Sequence, residues 1–243
     1  MSNNPTGEKI SFPVIGIVYS CFKEKFGIPR QPGLASAAQA VIEIAAPYNT
    51  LDAFEGLGDC SHIWLQFVFH KSLHHAWRPK VRPPRLGGNR SVGVFATRSP
   101  VRPSAIGLSV VRLERIEGKN GVQLYISGAD LLEGTPILDI KPYVPYVDSV
   151  PEALNRMADA PPSVMAVRFS GIAKAQIDAA NGYDNLAVLI EQVLEQDPRP
   201  QYQKTDEART YGMKLYEFNL KWRYCVEGSV ESIEVLELVP LLI

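Results

Sequence analysis

Ile63-Trp-Leu-Gln-Phe-Val-Phe69 is an apolar run broken only by Gln66, and its aromatic and β-branched side chains predict a buried strand. Further strand-like runs surround it at Ile10–Tyr19, Ala40–Ala45, Val92–Thr97, Gly107–Ile116 and Val122–Ser127. The last two flank Glu117-Gly-Lys-Asn-Gly121, a strong hairpin turn. Ile137–Ile140 is a short apolar strand, followed by an extended loop over Lys141–Asp148. Between these runs, Phe26–Leu34 is too broken by Pro and Gly for regular structure, and Leu51–Leu57 suits a short helical turn. Many strands at short spacing with few helices between them predict a closed or nearly closed antiparallel barrel. Prolines cluster over Pro145–Pro162, and the pattern changes there. Beyond lie a strand at Val164–Phe169 and a single long helix over Ala173–Gln196, which stops before Asp197-Pro-Arg-Pro200. A hairpin of Tyr216–Val226 and Ser229–Leu238 turns at Glu227-Gly228. The chain therefore reads as mainly β: an antiparallel single-sheet β-barrel over 8–150, then a small C-terminal α+β domain over 160–243.

Composition changes this picture little. A chain of 243 residues can hold one large β domain or two smaller ones, and 19 prolines suit loop-rich β architecture better than a helical bundle. No apolar run approaches the roughly 20 residues needed to cross a bilayer. The N-terminus is polar without an apolar signal core, and the 3 cysteines are widely spaced with no CxxC, so the cytoplasm is expected.

Charge changes it more. The net charge is only −1, yet no acidic residue lies between Asp59 and Glu114. That window holds Lys71, Arg78, Lys80, Arg82, Arg85, Arg90, Arg98, Arg102 and Arg112, together with His62, His70, His74 and His75. Uncompensated Arg and Lys hold phosphates through charge-assisted hydrogen bonds. Rigid Pro and permissive Gly alternate with these arginines, which describes a shaped binding loop.

Dinucleotide, Walker, zinc-protease and serine-hydrolase motifs are all absent from the sequence. The adjacent His74 and His75 would point to opposite faces of a strand with no carboxylate nearby, so no metal is expected. His62 fits a structural role, whereas His70 beside Lys71 is the better candidate to touch a ligand. Three segments suit a small molecule: Pro29-Arg30-Gln31, Thr97-Arg98, and Ile137-Leu-Asp-Ile-Lys-Pro142. In the last, Asp139 and Lys141 sit among apolar residues. Asp139 should therefore either pair with Lys141 or a basic-loop arginine, or receive a ligand's positive group.

Phe26–Leu34, Ser61–His70, Arg82–Asn89, Val92–Pro103 and Gly134–Tyr143 together resemble the bacterial tRNA N6-threonylcarbamoyladenosine methyltransferase family, the TrmO type with a TsaA-like barrel. Asp197-Pro-Arg-Pro200 with Tyr202 resembles the hallmark of its C-terminal domain. The resemblance implies a homodimeric enzyme dependent on S-adenosylmethionine, acting on N6 of threonylcarbamoylated adenosine beside the tRNA anticodon. It implies a donor site made of Pro29, Arg30, Gln31, His70, Lys71, Arg98, Leu108, Ile137, Leu138, Asp139 and Ile140, with the Lys71 backbone mattering more than its side chain.

Elementary chemistry agrees with that set. Arg30 or Arg98 can meet the donor's carboxylate, Leu108 and Ile137–Ile140 can line its adenine, and Asp139 can sit near its positive charge. Asp139, Tyr143, Tyr146 and Asp148 are the candidates for receiving the N6 proton. Arg78, Lys80, Arg82, Arg85, Arg90 and Arg199 are the candidates for tRNA phosphates, with Lys204, Arg209, Lys214, Lys221 and Arg223 adding positive charge to the C-terminal part. The alternatives are a non-catalytic RNA-binding barrel, or a methyltransferase of this fold acting on another small acceptor.

Overall fold

The computed structural model describes residues 10–83, 90–158, 160–183, 185–199, 203 and 205–241. Its first unit is a closed barrel of six antiparallel strands. These are β1 (Gly16–Ser20), β2 (Gln39–Ile44), β3 (His62–Val68), β6 (Ile106–Glu117), β7 (Gln123–Ser127) and β8 (Pro136–Pro142), in the order β1-β2-β7-β6-β3-β8. The short pair β4 (Lys80–Val81) and β5 (Val92–Gly93) forms a separate ribbon in the β3–β6 connection. Alternation builds the barrel core: Ile63, Leu65 and Phe67 of β3 point inward, with Val18, Ile42, Val111, Leu124, Ile126 and Ile137 from the other strands.

Strand direction sorts the connections. The β1–β2, β3–β6 and β7–β8 connections all leave one end of the barrel, here called the upper end. The β2–β3 connection, the β6–β7 hairpin and the exit from β8 lie at the lower end. Along seven-residue β3 the two ends are separated by roughly 20 Å.

The second unit is a four-stranded sheet, β10-β11-β12-β9, with β9 (Ala166–Phe169) parallel to β12 (Val230–Pro240). Strands β10 (Tyr211–Leu215) and β11 (Phe218–Glu227) complete it. Helices α2 (Gly171–Ala179) and α3 (Leu186–Leu194) bury Ala173, Leu189, Ile190 and Val193 in the same core as Trp222, Tyr224 and Val235 of the sheet. No helix among the described residues is long and apolar enough to cross a membrane.

Four sequence expectations are corrected. The opening strand begins only at Gly16, because the exposed residues before it lack a sheet partner over most of their length. Val92–Thr97 is a two-residue strand followed by a 3-10 turn at Val94–Ala96, since its partner β4 is itself two residues long. Lys141–Asp148 is not one extended loop: β8 runs on to Pro142, and Pro145–Asp148 forms a single helical turn, α1. The helix expected over Ala173–Gln196 is two helices, broken where Gly182 takes φ +89°.

Candidate active site

The fold brings most of the donor candidates to the upper end. Pro29–Gln31 lies in the β1–β2 connection, His70 and Lys71 follow β3, Arg98 precedes β6, Leu108 starts β6, and Ile137–Ile140 start β8. Gly33 N–H donates to Gly128 O at 2.9 Å, tying the β1–β2 loop to the β7–β8 connection. Above it, the Arg98 guanidinium donates to Gln31 Oε1 at 2.5 Å. The turn that presents Arg98 is closed by Thr97 Oγ1 donating to Val94 O at 2.8 Å and by Arg102 donating to Thr97 O at 3.0 Å.

His70 opens a 3-10 turn whose carbonyl at Lys71 accepts from Lys25 Nζ at 2.8 Å. Partial burial and the charges of Lys71 and Lys25 hold the His70 pKa below its ordinary value, so the ring is neutral at pH 7. Beside this turn runs an open groove of about 450 Å³, lined by Phe12, Val68, Leu73, Ile106 and Leu138 among others. Leu108, two residues beyond Ile106, is 51% exposed on the same outer face of β6. The upper end thus combines exposed cations, a neutral imidazole and an apolar slot.

Not every candidate has the surroundings expected of it. Ile137 is fully buried and faces the barrel core, so its side chain lines no outer slot. Asp139 and Lys141 are not buried among apolar neighbours; they form an ion pair of 2.7 Å at the surface, and Asp139 Oδ1 also accepts from Ile140 N–H at 2.9 Å. Strand alternation and a bulge opposite Gln66 and Phe67 turn this Asp outward. Tyr143, Tyr146 and Asp148 lie at the lower end, away from the donor candidates of their own chain. There Asp148 Oδ2 accepts from Trp64 Nε1 at 2.9 Å and from Val144 N–H at 2.8 Å, so it closes the α1 turn.

Among the tRNA candidates, Arg78, Lys80, Arg82 and Arg90 are exposed in the β3–β6 connection, and none forms an ion pair with another described residue. Arg85 lies outside the described residues, as do Pro200, Tyr202 and Lys204. Arg199 is corrected: it is 7% exposed, with its guanidinium 4.1 Å from the Tyr224 ring centroid. It donates to Asp197 at 2.9 Å, to Thr205 at 2.5 Å, and to Glu231. Burial works against its charge, but the Glu231 and Asp197 carboxylates overcome that and raise its pKa. A guanidinium committed in this way holds its own domain together and has no face to offer a phosphate. Lys221 and Arg223 likewise pair across the sheet with Glu237 and Glu234.

Asp130 carries no motif in the sequence, and the fold brings it forward. Ser109 Oγ, pointing inward from β6, donates to Asp130 Oδ1 at 2.7 Å. Burial pushes this carboxyl up to about 6, with Ser109 and the Arg98 charge opposing. Its only sequence signal is one acid in the otherwise uncharged stretch Ser127–Leu132. An acid whose folded pKa is raised binds more protons folded than unfolded between about pH 4 and pH 6, so stability falls as pH rises through that window. Asp130→Asn is therefore expected to stabilise the protein at pH 7.5, by on the order of 2–3 kcal/mol at most, with the gain roughly halved at pH 5. Urea denaturation at both pH values checks this, and a gain that does not change with pH sinks it.

A family model described as the tRNA-methyltransferase O N-terminal domain matches residues 17–149, and one described as the TrmO C-terminal domain matches residues 162–241. The chain is 53% identical over 223 residues to a putative S-adenosylmethionine-dependent methyltransferase, RcsF, of Pseudomonas aeruginosa, covering 91% of this chain and 95% of that protein. It is 46% identical over 233 residues to the tRNA (adenine(37)-N6)-methyltransferase of Escherichia coli K12, covering 94% and 97%. A crystal structure of TrmO from Pseudomonas aeruginosa superposes with a TM-score of 0.80 at 43% identity, covering 96% of this chain and 99% of that one.

Proposed function

The chain belongs to the tRNA-methyltransferase O family, and from that premise we propose that it methylates N6 of adenosine 37 of tRNA, in its threonylcarbamoylated form, using S-adenosylmethionine. The observation that carries this reading is the convergence of the β1–β2 loop, the His70 turn, Arg98 and the Leu138 groove on one barrel end. The donor set fits the group. Arg98 and Arg30 suit a carboxylate, the apolar groove suits an adenine, and Asp139 offers oxygens to a positive centre.

When bound, S-adenosylmethionine supplies a methyl group made electrophilic by its sulfonium. The chain's own task is to bind, orient and exclude water, because such a transfer needs placement more than covalent help. Gln31 and Arg98 hold each other at the mouth, fixing the guanidinium before any ligand arrives. N6 gives up one proton as it gains the methyl. Of the candidates to receive that proton, Asp139 stands at the donor end of its own chain, whereas Tyr143, Tyr146 and Asp148 would have to reach it across a dimer.

The enzyme is proposed to work as a homodimer in the cytoplasm. Ile106 and Leu108, 40% and 51% exposed, lie with exposed Phe12 and Leu73 along the same apolar slot, so a second copy covering this face would close the slot over the adenine. Two domains are proposed, a catalytic barrel over 8–150 and a C-terminal domain over 160–243. The direct test of function is mass spectrometry of tRNA nucleosides after incubation with purified protein and methyl donor, without added metal. Methylated threonylcarbamoyladenosine is expected. Donor binding without any product would favour another acceptor, and tRNA binding without donor binding would favour the non-catalytic barrel.

The basic ribbon is proposed to lie along tRNA phosphates. Changing Arg78 with Lys80, or Arg82 with Arg90, to alanine should weaken tRNA binding and flatten the log–log salt dependence by roughly one unit for each phosphate no longer neutralised. An unchanged slope with loss of the dimer would instead assign these cations to an interface.

A further inference from the structure

We propose that the C-terminal unit is the template on which the donor loop is folded, and that Gln192 of α3 is a positioning residue for it; the inference rests on the methyltransferase reading above. The β1–β2 connection leaves the barrel and enters the core of the other unit. Phe22, Ala35 and Ala38 are almost wholly buried there, in one cluster with Met213, Leu220 and Trp222. Phe26 lies nearly parallel to Trp222, with ring centroids 5.9 Å apart and planes 7° off. At Gly27, φ is +84° and an added Cβ would come 2.5 Å from Met213 Sδ, so only glycine fits between this turn and the Met213 side chain of β10.

Hydrogen bonds fasten the segment on both sides of Pro29–Gln31. Before it, Tyr216 N–H donates to Cys21 O at 2.7 Å, and Lys214 N–H to Glu24 Oε1 at 2.9 Å. After it, Gln192 Oε1 accepts from Ala37 N–H at 2.8 Å, while Gln192 Nε2 donates to Ser36 Oγ at 3.0 Å. At the loop itself, Arg30 donates to Arg199 O at 3.4 Å. A segment this rich in Pro and Gly does not hold one shape alone. Fastening it at both ends means that its ordering cost is met during folding and not on binding the donor. Donor affinity should then depend on C-terminal residues that touch no donor.

Gln192→Ala in the full-length protein tests this. The S-adenosylmethionine dissociation constant, by calorimetry, should rise about five- to twentyfold, and hydrogen exchange at Ala37 should accelerate in donor-free protein. The affinity for tRNA should stay unchanged. In turnover, KM for the donor should rise while kcat at saturating donor stays the same. Gln192→Glu keeps an acceptor for Ala37 N–H and loses the donor to Ser36, so it should recover part of the affinity. It also serves as the informative variant if Gln192→Ala fails to fold. The inference is overturned if Gln192→Ala binds the donor within twofold of wild type, if donor and tRNA affinities fall by one common factor, or if the Glu variant does no better than Ala. Wild-type protein that binds no donor would overturn the methyltransferase reading as well, which separates the two failures.

Discussion

Arg199→Ala is expected to cost about 1.5–3 kcal/mol of folding stability, because removing the buried guanidinium forfeits its charge-assisted hydrogen bonds to partners that water can only partly compensate. Asp197 and Glu231 would lose their cation, and Tyr224 the guanidinium over its ring. Asp197 is exposed to particular damage. It holds a left-handed φ of +48° while its Oδ1 accepts from Tyr224 OH at 2.8 Å. Arg199→Lys should recover only part of the loss, since a single ammonium cannot reproduce the guanidinium's fork toward Asp197, Thr205 and Glu231. Urea denaturation measures the effect. Stability within about 1 kcal/mol of wild type together with lost tRNA binding would restore Arg199 as a phosphate ligand.

The second large effect is on ligand affinity. Arg98→Ala should weaken donor binding roughly ten- to a hundredfold, the value of one charge-assisted hydrogen bond of about 1.5–3 kcal/mol. Arg112→Ala should change it little: that residue is exposed farther along β6 and pairs with Glu114 at 3.3 Å. Gln31→Ala separates two roles of Arg98. If the guanidinium serves only to brace the loop through Gln31, the Arg98 and Gln31 variants should lose affinity equally. If it also meets the donor, Arg98→Ala loses more. Equal and small losses in the Arg98 and Arg112 variants would show that the pocket lies elsewhere.

What can be read from residues alone follows a physical line. Ile63–Phe69 and the Glu117–Gly121 turn are legible because a strand's alternation and a hairpin's Gly are local properties. Ala173–Gln196 reads wrongly as one helix because each of its two helices is held by burial against the sheet. The Asn181-Gly182 break between them is outweighed by the helix-forming residues on either side. Strand β10 escapes a sequence reading, since Tyr211-Gly-Met-Lys-Leu215 is short and contains Gly, and only its pairing with β11 makes it a strand.

For the site, the motif-bearing segments are legible and their convergence on one barrel end follows from strand order. For Asp139 the sequence leaves open a pair with Lys141 or a ligand's positive group, and the fold forms the Lys141 pair at the surface because a bulge turns the side chain outward. Asp130 and Gln192 carry no motif at all. Their partners, Ser109 and Ala37, lie 21 and 155 residues away along the chain, and only the fold introduces them.

The seating of the β1–β2 connection in the far unit also sets an order of events during synthesis. Glu24 meets its partner Lys214 only after 190 further residues have been made. At about 5–20 residues per second, that delay is roughly 10–40 s on the ribosome. Barrel strands can pair during this interval, but the β1–β2 connection has no seat until Tyr211–Leu215 emerges. A ribosome-bound chain stalled before Tyr211 should therefore leave Phe26–Ala38 open to proteolysis, and one with Tyr211–Pro240 fully emerged should not. If that loop holds the methyl donor, a nascent chain would thus acquire it only once the C-terminal sheet has closed behind a loop made some 190 residues earlier.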